Sequence, residues 1–131
     1  THTFDSPEYQ RANTYFAKNF GLRTERKKSE LDTAEAKSNK FIYRYMWGPT
    51  EFTATGTLLN YDRIESLRTI KVPVLFITGE FDEARPQTVK RFQQMIPGAK
   101  FAVIPNAGHS TMHDNNEENI RVLKEFLAEI K

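Results

Sequence analysis

The sequence predicts an α/β fold whose C-terminal half is a β-α-β-α unit with two parallel strands. The apolar runs at residues 74–78 and 100–104 are short and contain β-branched side chains, as is typical of strands buried on both faces. A segment with helical spacing of apolar residues follows each run, and this alternation is typical of parallel sheets. Two strands are too few for such a sheet, so we expect its other strands to come from polypeptide outside these 131 residues.

Helices are predicted in the N-terminal half. Ser6-Pro7-Glu8 combines an N-cap serine, a proline in the first turn and an acid at the positive end of a helix. Apolar residues follow at helical spacing, and Gly21 offers a stop. Residues 22–40 are highly charged, and we expect them to form a second, exposed helix or a mobile link.

Aromatic side chains crowd residues 41–52, around Gly48-Pro49. The simplest expectation for this segment is a small core under the helices. Glu51 lies within it, and a carboxylate among aromatic rings is costly unless it is paired. The position of Glu51 therefore favours a cationic partner, which a ligand can supply.

The C-terminal half contains the helices of the β-α-β-α unit. Residues 60–70 are expected to form a helical turn or short helix that returns the chain to the sheet, and residues 86–96 a longer helix. Asp114 and Glu117 have the spacing of a capping box at the start of the last helix. The apolar residues predicted to face inward from the two longer helices are Val89, Phe92, Met95, Ile96, Ile120, Leu123, Phe126, Leu127 and Ile130.

Composition excludes several classes of function. The 131 residues carry 19 basic and 17 acidic side chains, and a net charge of +2 is too balanced to indicate a nucleic-acid or membrane partner. The absence of cysteine excludes disulfides, thiol catalysis and cysteine-ligated metal. No signal peptide or membrane-length apolar run is present, so we expect a cytoplasmic protein. The sequence does not begin with methionine, which we interpret as a cut inside a longer protein.

Asp82 and His109 are the candidate catalytic pair. Each follows the carboxyl end of a predicted strand, and in open parallel sheets these ends meet at one edge, where ligands collect. Such a pair is half of a Ser-His-Asp triad, in which the aspartate fixes the histidine tautomer and the histidine acts as general base and then acid. His113 follows His109 by four residues but without a fitting carboxylate pattern, so no metal or other cofactor is expected.

The nucleophile of such a triad is missing from the sequence. The six glycines include no Gly-x-Ser-x-Gly pattern, so the nucleophile elbow and its oxyanion-hole glycines are expected outside this chain. We therefore expect this chain alone not to hydrolyse an acyl substrate.

Three segments resemble proline iminopeptidases (prolyl aminopeptidases), a family of α/β-hydrolases. Residues 43–61, YRYMWGPTEFTATGTLLNY, resemble the passage of that family from its cap to its core. Residues 72–82 and 106–112, VPVLFITGEFD and NAGHSTM, are similar to its acid and base loops. The likeness implies the C-terminal part of an α/β-hydrolase fold. Residues 1–66 would be part of a helical cap with the return to the core, and residues 67–131 the last two parallel strands with their helices.

The resemblance also implies an activity, since the family removes an N-terminal residue, often proline, from short peptides through an acyl-enzyme on a serine. Two glutamates of the family hold the free amino group of the substrate, and its motifs match them to Glu51 and Glu83. Two nearby carboxylates favour a cation between them, and an ammonium group binds there through charge-assisted hydrogen bonds. Tyr43 and Trp47 are candidates for lining the pocket, and core packing explains them equally well.

Other interpretations stay open on the sequence alone. An amidase or esterase of the same fold, acting on amino-acid derivatives through the same amine clamp, has the same signature. A non-catalytic binding chain would explain the missing serine, but not the survival of Asp82, His109, Glu51 and Glu83. The partners expected for the enzyme are a short peptide or amino-acid amide with a free N-terminus, and the N-terminal half of the same enzyme.

Overall fold

The computed structural model describes Phe4 and residues 6–130, apart from the side chain of Glu35. Its elements are α1 (Pro7–Phe16), a π-helical turn (Ala17–Gly21), α2 (Lys28–Lys37), α3 (Lys40–Met46), a 3-10 helix (Glu65–Thr69), β1 (Leu75–Gly79), α4 (Pro86–Met95), β2 (Lys100–Ile104), α5 (Thr111–Asp114) and α6 (Asn116–Glu129). Within the described residues, none of these helices has the length and apolar character needed to cross a membrane.

Backbone contacts divide the described chain into two compact units. One unit consists of Glu25–Arg63 together with Phe4, and the other combines residues 6–24 with residues 64–130. The predicted boundary after residue 66 separated a cap from a core, and that assignment stays a prediction. The contact pattern adds that residues 6–24 belong with the strands.

Helix α1 begins where the sequence predicts. The Ser6 hydroxyl caps it by accepting a hydrogen bond from the Tyr9 amide at 3.2 Å, and a proline occupies the first turn. The helix continues into the π-helical turn, which ends at Gly21, the predicted stop. The rings of Phe16 and Phe20 contact each other along this stretch, with centroids 5.1 Å apart.

The two strands are parallel, as predicted. They pair in register from Leu75 with Lys100 to Gly79 with Ile104. Helix α4 connects them and α6 follows β2, which gives the predicted β-α-β-α order. Because parallel strands end at the same edge of a sheet, the loops that follow Gly79 and Ile104 lie side by side.

The interior of this unit lies where α4 and α6 pack on the strands. Its buried apolar residues are Ile96, Ala99, Ile104 and Ala107. The predicted inward face of α4 is half-buried or buried. The predicted burial of the apolar face of α6 is wrong for four of its five residues, since Ile120, Leu123, Leu127 and Ile130 are each at least 40% exposed. Helical spacing identifies an apolar face but does not ensure that this chain covers it.

Residues 41–52 do not form the small core that was expected. Helix α3 starts after Asn39, whose side chain accepts a hydrogen bond from the Ile42 amide at 3.0 Å. Phe41 is 77% exposed and Tyr45 is 63% exposed, and their rings stack with centroids 6.2 Å apart. The aromatic pattern of this segment therefore marks a surface of its unit and not an interior.

The predicted capping box at Asp114 and Glu117 is displaced by one residue. The N-cap of α6 is Asn115, whose Oδ1 accepts a hydrogen bond from the Glu118 amide at 3.3 Å. Both registers have a good N-cap residue followed by a glutamate three positions later, so spacing alone does not distinguish them. The Asp114 carboxylate is consequently available for a different set of contacts.

Candidate active site

Asp82 lies in the acid loop, residues 80–85, which follows β1. The loop turns sharply, with the Asp82 amide donating to the Gly79 carbonyl at 3.2 Å. Only 4% of the Asp82 side chain is exposed. Its oxygens accept hydrogen bonds from the amides of Gly79 and Ala84, at 3.2 and 2.8 Å, and from the Thr78 hydroxyl at 3.1 Å. These donors orient the carboxylate and compensate for its burial.

His109 lies in the base loop, residues 105–110, which follows β2. The loop reverses at Asn106, whose φ of 60° falls in the left-handed region that asparagine tolerates. The Asn106 amide donates to the Glu80 carboxylate at 2.9 Å, and the His109 amide donates to the Phe20 carbonyl at 2.8 Å. The base loop is therefore bonded both to the acid loop and to the π-helical turn.

The structure brings Asp82 and His109 together. His109 Nδ1 lies 2.9 Å from Asp82 Oδ1, and the imidazole is 59% exposed although its partner is buried. The other groups bonded to the Asp82 side chain are all N–H or O–H donors, so the carboxylate acts as an acceptor and Nδ1–H donates to it. With the proton on Nδ1, Nε2 carries a lone pair and can act as a hydrogen-bond or proton acceptor.

Asp114 belongs to this site, although sequence reasoning assigned it to a helix cap. Its carboxylate accepts hydrogen bonds from the amides of Gly108, Arg23 and Thr24, at 2.8, 2.9 and 2.8 Å. Burial alone would raise the pKa of Asp114, but the hydrogen bonds from Gly108, Thr24 and Arg23 together lower it below its ordinary value. Arg23 and Thr24 lie 91 and 90 residues away along the chain, so no local pattern pointed to this contact.

Glu83 lies in the acid loop beside a cleft of about 390 Å³. Three phenylalanine rings line this cleft together with charged side chains, and Asp82 contributes to its wall. The lining residues are Phe16, Phe20, Glu80, Phe81, Asp82, Glu83, Arg85, Pro86 and Gln87. This mixture of aromatic and charged groups suits a small ligand with an apolar body and a charged end.

Glu51, Tyr43 and Trp47 lie in the unit of Glu25–Arg63, and the structure brings these three residues together. The Tyr43 hydroxyl donates to Glu51 Oε2 at 2.9 Å, and Trp47 Nε1 donates to the Glu51 carbonyl at 2.9 Å. Glu51 is exposed, so burial among aromatic rings does not by itself demand a cation at this position. Tyr43 instead orients the carboxylate at the surface. Glu51 and Glu83 belong to different units. The site residues of each unit are therefore described only by the contacts they make within that unit.

His113, four residues after His109, lies in the short helix α5. In the part of the chain that the structure describes, no three histidine, aspartate or glutamate side chains come together in a way that would hold a metal ion. No metal-binding role is therefore assigned to His113.

Comparison with known proteins places this geometry in context. No model of a known protein family matches the chain. The chain is 36% identical over 129 residues to the proline iminopeptidase of Heyndrickxia coagulans, and this alignment covers 98% of this chain and 45% of that protein. It is 34% identical over 125 residues to the proline iminopeptidase of Thermoplasma volcanium, and this alignment covers 95% of this chain and 42% of that protein. The chain thus spans less than half the length of these relatives.

Solved structures show the same relationship. The proline iminopeptidase of Mycobacterium smegmatis matches with a TM-score of 0.85 at 31% identity, over 96% of this chain and 43% of that one. VinJ matches with a TM-score of 0.84 at 28% identity, over 98% of this chain and 44% of that one. In sequence and in fold, the chain corresponds to the C-terminal half of the proline iminopeptidases, a family of α/β-hydrolases.

Proposed function

We propose that this chain supplies the general base and its orienting acid to a serine aminopeptidase of the proline iminopeptidase type. The observation that carries the proposal is the 2.9 Å contact between His109 Nδ1 and the buried Asp82 carboxylate. The likeness to proline iminopeptidases supports it. In this proposal the nucleophilic serine belongs to the N-terminal half of the enzyme, outside these 131 residues.

The proposed reaction uses the two ring nitrogens of His109 in different ways. Nε2 removes the proton of the serine hydroxyl as its oxygen attacks the carbonyl carbon of the N-terminal residue, while Asp82 stabilises the imidazolium through Nδ1–H. The imidazolium gives its proton to the leaving amine as the peptide C–N bond breaks, and the N-terminal residue remains as an ester on the serine. Water, activated by the same imidazole, then hydrolyses the ester and releases the amino acid.

Recognition of the free amino group gives the proposal its exopeptidase character. Glu51 and Glu83 are proposed to bind the substrate ammonium group, as the family resemblance implies. The exposed Glu51 carboxylate, oriented by Tyr43, and the position of Glu83 in an aromatic-lined cleft support this role. Trp47 would act by holding the Glu51 backbone. Ammonium groups form charge-assisted hydrogen bonds that acylated amines do not form, so short peptides and amino-acid amides with a free N-terminus are the proposed substrates.

The test is hydrolysis by the complete polypeptide that carries this chain together with the proposed serine. We expect release of p-nitroaniline from prolyl p-nitroanilide, slower release from the alanyl compound and none from N-acetylprolyl p-nitroanilide. His109→Ala should abolish turnover with little loss of fold, because most of the ring is exposed. His113→Ala, a matched change at another exposed histidine, should leave turnover unchanged. Turnover that survives His109→Ala would exclude the triad.

The same assay distinguishes the alternative functions. Faster hydrolysis of prolinamide or proline esters than of prolyl peptides would identify an amidase or esterase with the same amine-binding site. A folded protein that binds these compounds but hydrolyses none of them would be a non-catalytic binding chain.

A further inference from the structure

We propose that Asp114 is a positioning residue for His109, because its carboxylate holds the base loop against residues 20–24 in the arrangement that brings the imidazole onto Asp82. The inference rests on the proposed triad role of His109 and deepens it. Asp114 accepts hydrogen bonds from backbone amides of the base loop and of residues 20–24, and it does not touch the imidazole itself in these contacts. Its contribution to catalysis is therefore indirect.

The first contact of Asp114 is with the peptide that leads into His109. Asp114 Oδ2 accepts a hydrogen bond from the Gly108 amide at 2.8 Å. Gly108 also packs so tightly that a Cβ atom built on it would lie 2.7 Å from the Phe20 carbonyl oxygen. A carboxylate and a close backbone contact thus both hold this peptide, whose orientation sets the direction in which the His109 side chain leaves the loop.

The second set of contacts is with residues 20–24. Asp114 Oδ1 accepts hydrogen bonds from the Arg23 amide at 2.9 Å, from the Thr24 amide at 2.8 Å and from the Thr24 hydroxyl at 2.9 Å. One carboxylate therefore accepts from two segments that are far apart in sequence. Hydrogen bonds of this kind, with an ionised acceptor, are stronger than those between neutral groups.

The base loop is also bonded directly to the same segment. The His109 amide donates to the Phe20 carbonyl at 2.8 Å, and the Ser110 amide donates to the Gly21 carbonyl at 2.9 Å. Together with the carboxylate of Asp114, these bonds fix the backbone before, at and after His109. The position of the imidazole thus depends on how firmly residues 20–24 are held.

Residues 20–24 contact the acid loop as well. The Arg23 guanidinium lies over the Phe81 ring, 4.0 Å from its centroid. Phe81 immediately precedes Asp82, and its amide donates to the Ala107 carbonyl of the base loop at 2.9 Å. The segment that Asp114 holds therefore contacts both loops of the Asp82–His109 pair, and loss of the carboxylate should loosen the two loops relative to each other.

Asp114→Asn tests this role with the smallest change of shape. The asparagine keeps one acceptor oxygen and replaces the other by an amide group that donates, so at least one of the backbone amides of Gly108, Arg23 and Thr24 loses its acceptor. Displacement of a reacting group by about 1 Å can cost about 100-fold in rate. Glu117→Gln removes an exposed carboxylate nearby and is the matched control.

In the complete polypeptide we expect Asp114→Asn to lower kcat for prolyl p-nitroanilide about 10- to 100-fold with KM changed less than about twofold. The low-field proton resonance of His109 Nδ1–H should weaken or broaden in Asp114→Asn and persist in Glu117→Gln. If Asp114→Asn does not fold, Thr24→Val removes only the hydroxyl contact and should lower kcat by a smaller factor, about two- to fivefold.

Three results would overturn the inference. They are a kcat within about twofold of the parent in folded Asp114→Asn, a rise in KM that accounts for the whole effect, and an unchanged Nδ1–H resonance. If the parent hydrolyses none of the substrates, the proposed function fails, but the resonance of the Asp82–His109 contact still shows whether Asp114 positions the imidazole.

Discussion

The backbone of Gly79 passes so close to that of Gly108 that a Cβ atom on Gly79 would lie 2.1 Å from the Gly108 carbonyl oxygen and 2.4 Å from that of Ala107. This contact sets the distance between the two loops at the edge of the sheet. Asp82 follows Gly79 by three residues and His109 follows Gly108 directly, so the close approach of the glycines brings acid and base within hydrogen-bonding distance.

Gly79→Ala is expected to destabilise the fold and separate the pair. The obstructing atoms belong to backbone and cannot rotate away, so the loops must move apart, at a cost of about 1–3 kcal/mol in the free energy of unfolding. Urea denaturation of the complete polypeptide measures this change. Gly21→Ala is the control, because no atom lies within 4 Å of a Cβ there, and its effect should stay within about 0.5 kcal/mol. Equal effects of the two substitutions would contradict the close approach of the Gly79 and Gly108 backbones as the cause of the destabilisation.

Asp82→Asn is expected to impair the reaction far more than the fold, although the amide group that replaces one oxygen leaves the backbone N–H of Gly79 or of Ala84 without its acceptor. The asparagine can keep the acceptor contacts of one oxygen, but it no longer specifies the tautomer with a proton on His109 Nδ1 and does not stabilise the imidazolium. We expect kcat to fall by a factor on the order of 10⁴. Glu80→Gln changes a carboxylate in the same loop that contacts the Asn106 amide, and it should reduce kcat far less. Similar losses in both variants would indicate a general effect of loop charge.

Local patterns were sufficient to predict the elements that position the pair. The cap at Ser6 and the two apolar strands depend on interactions over a few residues, and both were found where expected. The meeting of Asp82 and His109 followed from strand order alone, because parallel strands end at one edge of a sheet.

Burial and distant contacts could not be predicted in the same way. The spacing of α6 identified an apolar face, but Leu127 on that face is 55% exposed, because periodicity does not specify what packs against it. Asp114 and Asn115 are equivalent as N-cap types, so the local rule could not choose between them. The contacts of Asp114 with Arg23 and Thr24 join segments about ninety residues apart, which no local pattern reports.

Glu51→Gln is expected to weaken binding of ligands with a free amino group. The charge of the carboxylate, which the Tyr43 hydroxyl orients at 2.9 Å, is lost, and the inhibition constant of prolinamide should rise about tenfold. N-acetylprolinamide carries no ammonium group, and its inhibition constant should stay nearly constant. Tyr43→Phe keeps the charge and removes only the orienting hydroxyl, so its effect should be smaller, about two- to threefold. Equal effects of Glu51→Gln on both ligands would exclude the amine-binding role.

Asp114→Asn is also expected to change how stability depends on pH. Because the pKa of Asp114 is lowered in the folded chain from 3.8, the unfolded chain binds a proton here at a higher pH than the folded chain does. The contribution of this carboxylate is therefore complete above about pH 4 and is lost as the pH falls through the lowered pKa. The variant should be less stable than the parent by about 1 kcal/mol at pH 7, after allowance for solvent screening, and this difference should shrink below pH 4. Chemical denaturation of both proteins between pH 2 and pH 7 measures the difference, and a gap that stays constant over that range would contradict the assignment.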